Sequence, residues 1–280
     1  MNLIIIMIKF GERLIHMYSF EHIKFLKKLK RKKRIIHLSQ LLIIISFLII
    51  WEFLSRYEYI NPFLYSSPGK IIKTIYNLFV ANNLLSHVLI TIYETFISFF
   101  ISSILGILIA TLFWWNETIY KIFEPYLTIL NSLPKVSLGP LIIIWVGAST
   151  NSIILMALMI SSFISIINIY NSFNSVDNNY IYLLKSMNAT KLQIYLKVII
   201  PSNITNIISA FKINISMSLI GVIMGELLVS KSGLGYLIMY GSQVFNINLT
   251  LTATFILGLI SYLMYLIVNK IEYFIQKKQS

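Results

Sequence analysis

Residues 85–114 read LSHVLITIYETFISFFISSILGILIATLFW. Glu94 is the one acidic residue in this stretch, which has no lysine or arginine. A helix needs about 20 mostly apolar residues to cross the hydrocarbon core of a bilayer. The stretch therefore predicts a transmembrane helix.

Further apolar stretches of similar length lie on both sides of it, at residues 38–55, 126–146, 153–170, 206–229 and 249–269. The segment 126–146 is the least regular, because Pro134 and Pro140 interrupt it with Lys135 between them. Prolines occur in membrane helices where neighbouring protein satisfies the freed backbone groups, and such breaks also line transport pathways. A kinked packing helix and a pathway element are both compatible with this pattern.

The composition agrees with a membrane protein. Hydrophobic residues make up 57% of the 280 residues, charged residues only 12%, and the mean hydropathy is +0.79. A soluble domain has about a quarter charged residues. The predicted fold class is an all-α, polytopic membrane protein with about six transmembrane helices.

The net charge of +13 raises the question of a nucleic-acid partner. Ten of the 23 basic residues precede the first long apolar stretch, mostly within residues 24–34. A basic block beside a membrane segment indicates an anchor on the cytoplasmic side, in contact with anionic lipid, and we expect no nucleic-acid partner. The Lys and Arg bias at the other span ends places both termini in the cytoplasm.

These observations divide the chain into three parts. Residues 1–37 form a basic cytoplasmic segment, residues 38–275 the transmembrane domain, and residues 276–280 a cytoplasmic tail. The first twenty residues carry no recognisable motif, and Met7 or Met17 is a possible alternative start.

The longest internal polar stretch spans residues 171–203. Its pattern predicts two short helices joined at Asn188, the second of which Pro201 stops. Asparagine tolerates the left-handed backbone conformation that ends many helices. Thr190 and Gln193 have the spacing of a capping box at the start of the second helix. A helical hairpin at the membrane surface would suit docking to another protein.

Here the sequence resembles the permease subunits of binding-protein-dependent ABC importers, of the nitrate, sulfonate and taurine type. Their cytoplasmic signature is Glu-Ala-Ala, three residues, Gly, nine residues, then Ile-x-Leu-Pro. The same spacing is occupied here by Tyr182-Leu183-Leu184, Asn188 and Val198-Ile199-Ile200-Pro201. Only the proline keeps its identity.

Segments on both sides of the loop carry the resemblance further. They are Gly225-Glu226, the SGLGYLI stretch at 232–238, the LGPL stretch at 138–141, Trp145-Val146-Gly147, Trp51-Glu52 and Ser67-Pro68. The resemblance as a whole covers about residues 38–275.

The resemblance implies a type I ABC importer permease core in the bacterial plasma membrane. Two permeases, expected as a homodimer, would work with two ABC ATPase subunits and an external substrate-binding protein. The residues implied in ATPase coupling are Tyr182, Leu183, Leu184, Met187, Asn188, Ala189 and Pro201. The chain has no Gly-x-x-x-x-Gly-Lys-Ser/Thr phosphate loop, so a partner would hydrolyse the ATP and this subunit would not be an enzyme.

A second group of residues is expected at the translocation pathway or dimer interface: Pro140, Trp145, Gly221, Gly225 and Glu226. An ionised Glu226 in an apolar stretch costs about 2.5–3.5 kcal/mol, so it needs water or a partner. A place at the dimer interface or pathway would meet that need, and so would a position at the span boundary or a bond to a neighbouring helix. Gly221 and Gly225 have the small-x-x-x-small spacing that lets helices approach closely.

No catalytic constellation, metal site or cofactor motif is expected, because the chain has no cysteine and its histidines are scattered. An ion-coupled secondary transporter or a channel is the alternative function, but it would call for internal repeats and more intramembrane ionisable residues than Glu226. The substrate is left open. The resemblance implies a sulfonate, nitrate, taurine or a small heterocycle such as a thiamine precursor.

Overall fold

A computed structural model describes residues 20–81 and 83–279, with the side chains of 20–23, 278 and 279 excepted. Within these ranges the regular structure is helical, without strands. The predicted basic segment 1–37 and tail 276–280 lie partly outside the described residues, and the two alternative starts lie entirely outside them. The chain divides into two compact units, Met1–Pro68 and Gly69–Ser280.

The first unit contains α1 (Phe20–Arg56) and α2 (Pro62–Tyr65). Helix α1 runs without a break from the basic block through the predicted span. The side chain of Asn61 caps α2 by accepting the N–H of Phe63 at 2.9 Å. The indole of Trp51 donates to the carbonyl of Tyr65, which ties α2 to the end of α1.

The remaining helices, most of them in the second unit, are α3 (Pro68–Val80), α4 (Leu84–Trp115), α5 (Glu117–Ser132), α6 (Gly139–Val146), α7 (Thr150–Asn174), α8 (Asn178–Ser186), α9 (Lys191–Ile194), α10 (Ile200–Val229), α11 (Leu234–Gln243) and α12 (Ile247–Gln279). A 3₁₀ turn (Lys135–Leu138) joins α5 to α6, and a π turn (Tyr195–Ile199) joins α9 to α10.

Within the described residues, five helical segments are long and apolar enough to cross a membrane: α1, α4, α7, the run from α9 through α10, and α12. A sixth span exists only if α5 and α6 count as one, and these two helices meet at 85°. The single span predicted at 126–146 is therefore a bent pair. The bend follows from the prolines, since Pro134 holds Leu133 in an extended conformation and Pro140 starts a new helix.

Pro201 does not stop a helix, contrary to the prediction. The helical run continues from Lys191 to Val229, and Pro201 is the second residue of α10. In a regular α-helix its ring would clash with the carbonyl of Lys197. The preceding π turn, in which the N–H of Ile200 bonds the carbonyl of Tyr195, widens the backbone at this point and accommodates the ring.

Helices α4, α7 and α10 form the centre of the second unit. At Gly225 an added Cβ would lie 2.9 Å from the Cα of Ile153 on α7, so α7 and α10 are in near-backbone contact. Asn214 of α10 donates to the hydroxyls of Ser102 and Ser103 on α4 at 2.9 and 2.8 Å. Small residues and buried amide–hydroxyl bonds are how helices associate in a bilayer.

Candidate functional site: the α8–α9 loop and the Glu226 turn

The α8–α9 loop is built from two well-capped helices. Asp177 accepts the N–H of Asn179 at 2.9 Å and so begins α8. At the other end of α8, the N–H of Ala189 bonds the carbonyl of Leu184, and the N–H of Asn188 bonds that of Lys185, both at 3.0 Å. This is a Schellman turn with Asn188 at φ 57°. The predicted left-handed role of Asn188 is confirmed.

The loop residues expected in coupling fall on two faces. Tyr182, Leu183 and Met187 are 61%, 60% and 71% exposed. Leu184 and Ala189 are partly buried against the apolar cluster that contains Phe173 and Ile194. The burial of this second pair fixes the direction in which the exposed trio points. Asn188 is exposed at the turn between them, and Pro201 lies away from this surface in α10.

The second half of the loop is attached to the end of α4. Thr190 and Gln193 form the predicted capping box. The ammonium of Lys191 donates to the carbonyl of Trp115 and lies 5.6 Å from the ring centroid of Trp114. The hydroxyl of Tyr195 lies 2.6 Å from that of Thr111. The loop therefore contacts two spans, α4 through these side chains and α10 through the continuous helix.

Glu226 lies at the opposite end of α4 and α10 and is 1% exposed. One carboxylate oxygen accepts the hydroxyl of Thr91 at 2.6 Å, and the other accepts the N–H of Gly235 at 2.5 Å. Thr91 in turn accepts the N–H of Leu234, and His87 accepts the N–H of Gly233, both at 2.9 Å. The free backbone donors at the start of α11 are thus bonded by side chains of α4 and α10.

The two glycines of this turn make room for the carboxylate. Gly233 has φ 102°, a conformation that side-chain-bearing residues rarely adopt, and a Cβ there would collide with the carboxylate of Glu226. A Cβ on Gly235 would lie 2.7 Å from the Cβ of Glu226. The spacing of Glu226 to Gly233-Leu234-Gly235 is therefore a packing requirement. We call this group of residues, with His87 and Thr91, the Glu226 turn.

Glu94, on α4, also contacts the Glu226 turn. It is 1% exposed, its carboxyl contacts the side chains of Glu226 and Thr150, and its Oε2 has no hydrogen-bond partner. Sequence analysis noted Glu94 as the one acidic residue of its span, but did not place Glu94, His87 or Thr91 at this site. The available signal was their spacing, since residues three to four apart share one face of a helix.

The structure does not bring the residues expected at the pathway or dimer interface into one site. Pro140 and Trp145 are exposed on α6, Trp145 to 73%. Gly221 packs against Ala157, and Gly225 against α7 one turn away. The close helix approach predicted from this spacing is confirmed, and the neighbour is α7 of the same chain. The contacts of Glu226 match the interpretation of a bond to a neighbouring helix.

The described part of the chain holds no group of three or more His, Cys, Asp or Glu side chains that could bind a metal ion. The α8–α9 loop therefore provides an exposed apolar contact surface, and the Glu226 turn provides a buried network of hydrogen bonds.

Residues 102–280 match a family described as "Binding-protein-dependent transport system inner membrane component". The formylaminopyrimidine transport permease protein ThiX of Halalkalibacterium halodurans is 28% identical over 172 residues, which is 61% of this chain and 69% of that protein. The putative aliphatic sulfonates transport permease protein SsuC of Bacillus subtilis is 28% identical over 182 residues, 65% of this chain and 66% of that protein. The chain thus spans about two thirds of the length of these curated relatives.

Two solved structures share the fold. A chain of the MetNI methionine ABC transporter in an inward-facing conformation superposes with a TM-score of 0.62 and 20% identity, over 69% of this chain and 96% of that one. A chain of an amino acid ABC transporter has a TM-score of 0.59 and 17% identity, over 73% and 97%. The predicted all-α fold with a type I ABC importer permease core is confirmed.

These matches support an ABC importer permease subunit and give no support to the ion-coupled carrier or channel. The family match covers more than half of the chain, and the apolar helices fit a multi-pass membrane protein. This chain belongs to the family of binding-protein-dependent transport system inner membrane components.

Proposed function

We propose that this permease subunit forms the translocation pathway for a small solute and receives its driving force from a separate ATPase through α8. In the proposed assembly, two copies of the chain span the membrane, two ATPase subunits bind their cytoplasmic loops, and an external binding protein delivers the solute. Both termini and the α8–α9 loop are cytoplasmic. The missing phosphate-loop sequence supports ATP hydrolysis by the partner.

The exposed trio on α8 is the observation that carries the coupling proposal. Most of the exposed leucines elsewhere in the described residues lie on candidate membrane spans, where lipid would cover them. Helix α8 and Met187, the residue that follows it, lie outside the candidate spans, yet Tyr182, Leu183 and Met187 are each more than half exposed. Three clustered apolar side chains in water favour a protein contact. The position coincides with the family's cytoplasmic signature.

The attachment of the loop gives a route for the motion. When the ATPase subunits close, they would displace α8 together with the Schellman turn. Lys191 and Tyr195 would carry that displacement to the end of α4, and the helical run from Lys191 would carry it into α10. Movements of packed helices as near-rigid bodies are a common form of such switching.

A charge on the exposed trio tests the contact. In the importer reconstituted with its ATPase and binding protein, Leu183→Glu should lower ATP-driven uptake and ATPase copurification at least tenfold. The matched variant Leu183→Met keeps an apolar side chain of similar volume and should support uptake within about twofold of the natural chain. Full uptake by both Leu183→Glu and Met187→Glu would exclude α8 as the contact.

The substrate proposal rests on the relatives. We propose a small organic solute of the sulfonate or aminopyrimidine kind, since two relatives are named for aliphatic sulfonates and formylaminopyrimidine. An aliphatic sulfonate or formylaminopyrimidine should raise the unfolding temperature of the binding protein that works with this permease. Nitrate and taurine are tested in the same panel of compounds. ATP-dependent uptake of that compound by the reconstituted importer would support the assignment, and stabilisation by none of them would refute it.

A further inference from the structure

Helix α5 carries a row of polar residues along one face. The row starts at Glu117 and continues at intervals of three or four residues into the 3₁₀ turn that follows α5. At about 100° per residue, its helical members fall within about 80° of one another. Each member is exposed except Lys135, which is partly buried. We call this row the polar stripe, and its members are Glu117, Lys121, Glu124, Thr128, Asn131 and Lys135.

The other sides of α5 are apolar. On one side, Leu127 is buried in a cluster with Phe113, and Tyr120 stacks on Tyr170 with ring centroids 3.8 Å apart. This side therefore packs on α4 and α7. The side opposite the polar stripe exposes apolar residues that suit lipid: Ile122, Phe123, Tyr126, Ile129 and Leu130. The polar stripe is thus a second open face, and hydrocarbon would leave its polar groups without partners.

The polar stripe reaches the middle of the membrane. Its last member, Lys135, has its ammonium 5.8 Å from the ring centroid of Phe163. Phe163 occupies the middle of α7, which is long and apolar enough to cross a bilayer. The first member, Glu117, follows the end of α4 at Trp115, to which the α8–α9 loop is bonded. The stripe therefore extends from the loop end of the spans to about half their depth.

The charge of Lys135 has no carboxylate partner among the described residues. Its ammonium donates to the amide oxygen of Asn131 at 3.0 Å and faces the Phe163 ring, and both groups are neutral. The carboxylates in ion pairs are Glu117 and Glu272, each with another lysine. Lys135 also lies at the break between α5 and α6, which meet at 85°. An ionised side chain at such a break in a membrane segment needs water or an anion.

We propose that the polar stripe lines the cytoplasmic half of a water-filled translocation pathway and that Lys135 binds the anionic group of the solute. This rests on the proposed function, in which the chain forms that pathway, and it favours a sulfonate over a neutral aminopyrimidine. Lys121 neutralises Glu117, and Glu124 lies nearer the loop end. The deep end of the stripe is therefore positive, as an anion site requires.

Cysteine accessibility separates water from lipid, because the natural sequence has no cysteine. Thr128→Cys lies in the polar stripe, and Ile129→Cys is the matched position at the same depth on the apolar side. With the full chain in nanodiscs, the water-soluble anion methanethiosulfonate ethylsulfonate should modify position 128 at least tenfold faster than position 129. Equally slow modification would overturn the proposal, since lipid or a second copy of the chain would then cover the stripe.

The sign of the potential tests Lys135 itself. Ser132→Cys reports it through the ratio of the modification rates by methanethiosulfonate ethylsulfonate and by its cationic trimethylammonium analogue. Adding Lys135→Gln should lower this anion-to-cation ratio at least threefold, because the two rates respond to the lost charge in opposite directions. Lys135→Arg should keep the ratio, and a reporter at Thr118→Cys, at the other end of α5, should show no change. An unchanged ratio at position 132 in the Gln variant would overturn the anion site.

Uptake connects the site to transport. In the importer reconstituted with its ATPase and binding protein, Lys135→Gln should lower uptake of the cognate solute at least tenfold without loss of ATPase copurification. Lys135→Arg should stay within about threefold of the natural chain. Full uptake by the Gln variant, or a cognate solute without negative charge, would refute the role of Lys135. The modification experiments need neither ATPase nor solute, so absence of uptake by the natural chain would reject the proposed function alone.

Discussion

Glu226 is a buried carboxylate in an apolar span, and hydrogen bonds from neighbouring residues stabilise it there. Each oxygen has a donor, Thr91 on one side and the backbone of Gly235 on the other. A buried polar group that loses its hydrogen bonds costs about 1–3 kcal/mol. The carboxylate and the start of α11 therefore depend on each other, since each satisfies a group that the other leaves free.

Gly233→Ala should destabilise the protein by about 1–3 kcal/mol, because alanine at φ 102° is strained and its methyl group meets the carboxylate of Glu226. Unfolding of the purified protein in detergent, followed by circular dichroism against temperature, measures the loss. Gly258→Ala is the matched control, because Gly258 lies within α12 and a Cβ added there would have no other atom within 4 Å. Equal stability of the two variants would contradict the packing role of Gly233.

The sequence shows a glutamate in an apolar stretch but not its partners. Glu226 and Thr91 are 135 positions apart, so only the packing of α4 against α10 brings them together. Glu94 shows the same limit, because its sequence context is compatible with a position near the span end or facing water, whereas the structure buries it. Local spacing, by contrast, identified Asn188 and the Thr190–Gln193 box correctly, since those contacts stay within five residues.

At the level of helices, the turn between α8 and α9 depends on the left-handed backbone conformation of Asn188. Asn188→Gly should leave stability unchanged or slightly raised, whereas Asn188→Val should cost about 1–2 kcal/mol, because a β-branched residue is disfavoured at φ 57°. Hydrogen exchange of the α8 amides measures the effect locally. If α8 is the coupling contact, Asn188→Val should also lower uptake more than it lowers ATPase activity. Similar exchange rates in both variants would contradict this account of the turn.

Whether a proline breaks a helix could not be predicted from the sequence alone. Pro134 and Pro140 break one expected span, whereas Pro201 lies within a continuous helical run. The residue type is the same, and the outcome differs because the π turn before Pro201 absorbs its ring. That adjustment involves the backbone of five residues, of which Tyr195 contacts α4, and no local sequence pattern predicts it.

Over the whole molecule, the spans were the most predictable feature. The stretches expected at 85–114, 153–170 and 249–269 lie within α4, α7 and α12. A bilayer leaves few alternatives to a helix, so length and hydropathy decide the outcome. Gly221 and Gly225 predicted a close helix approach, but which spans contact each other was not predictable, because small and hydroxyl residues occur on several faces of the helices.

The proposed orientation can be measured on the same cysteine-free background. Ser186→Cys labels the α8–α9 loop, and Lys231→Cys labels the turn before α11; both positions are exposed. In intact cells a membrane-impermeant maleimide should modify position 231 at least tenfold faster than position 186, and lysis should make the rates similar. Faster labelling at 186 in intact cells would invert the topology and would remove α8 from reach of a cytoplasmic ATPase.

Helix α4 contacts both the α8–α9 loop and the Glu226 turn. His87 and Thr91 hold the start of α11, and Thr111 and Trp115 hold the loop, about 30 Å away at 1.5 Å per residue. A rod of this length that shifts by about 2 Å at one end needs a tilt of only about 4° if the other end stays in place. In mechanical terms α4 is a lever attached at one end through His87 and Thr91 and at the other through Thr111 and Trp115, so a few hydrogen bonds at each end carry part of any load that passes across the membrane.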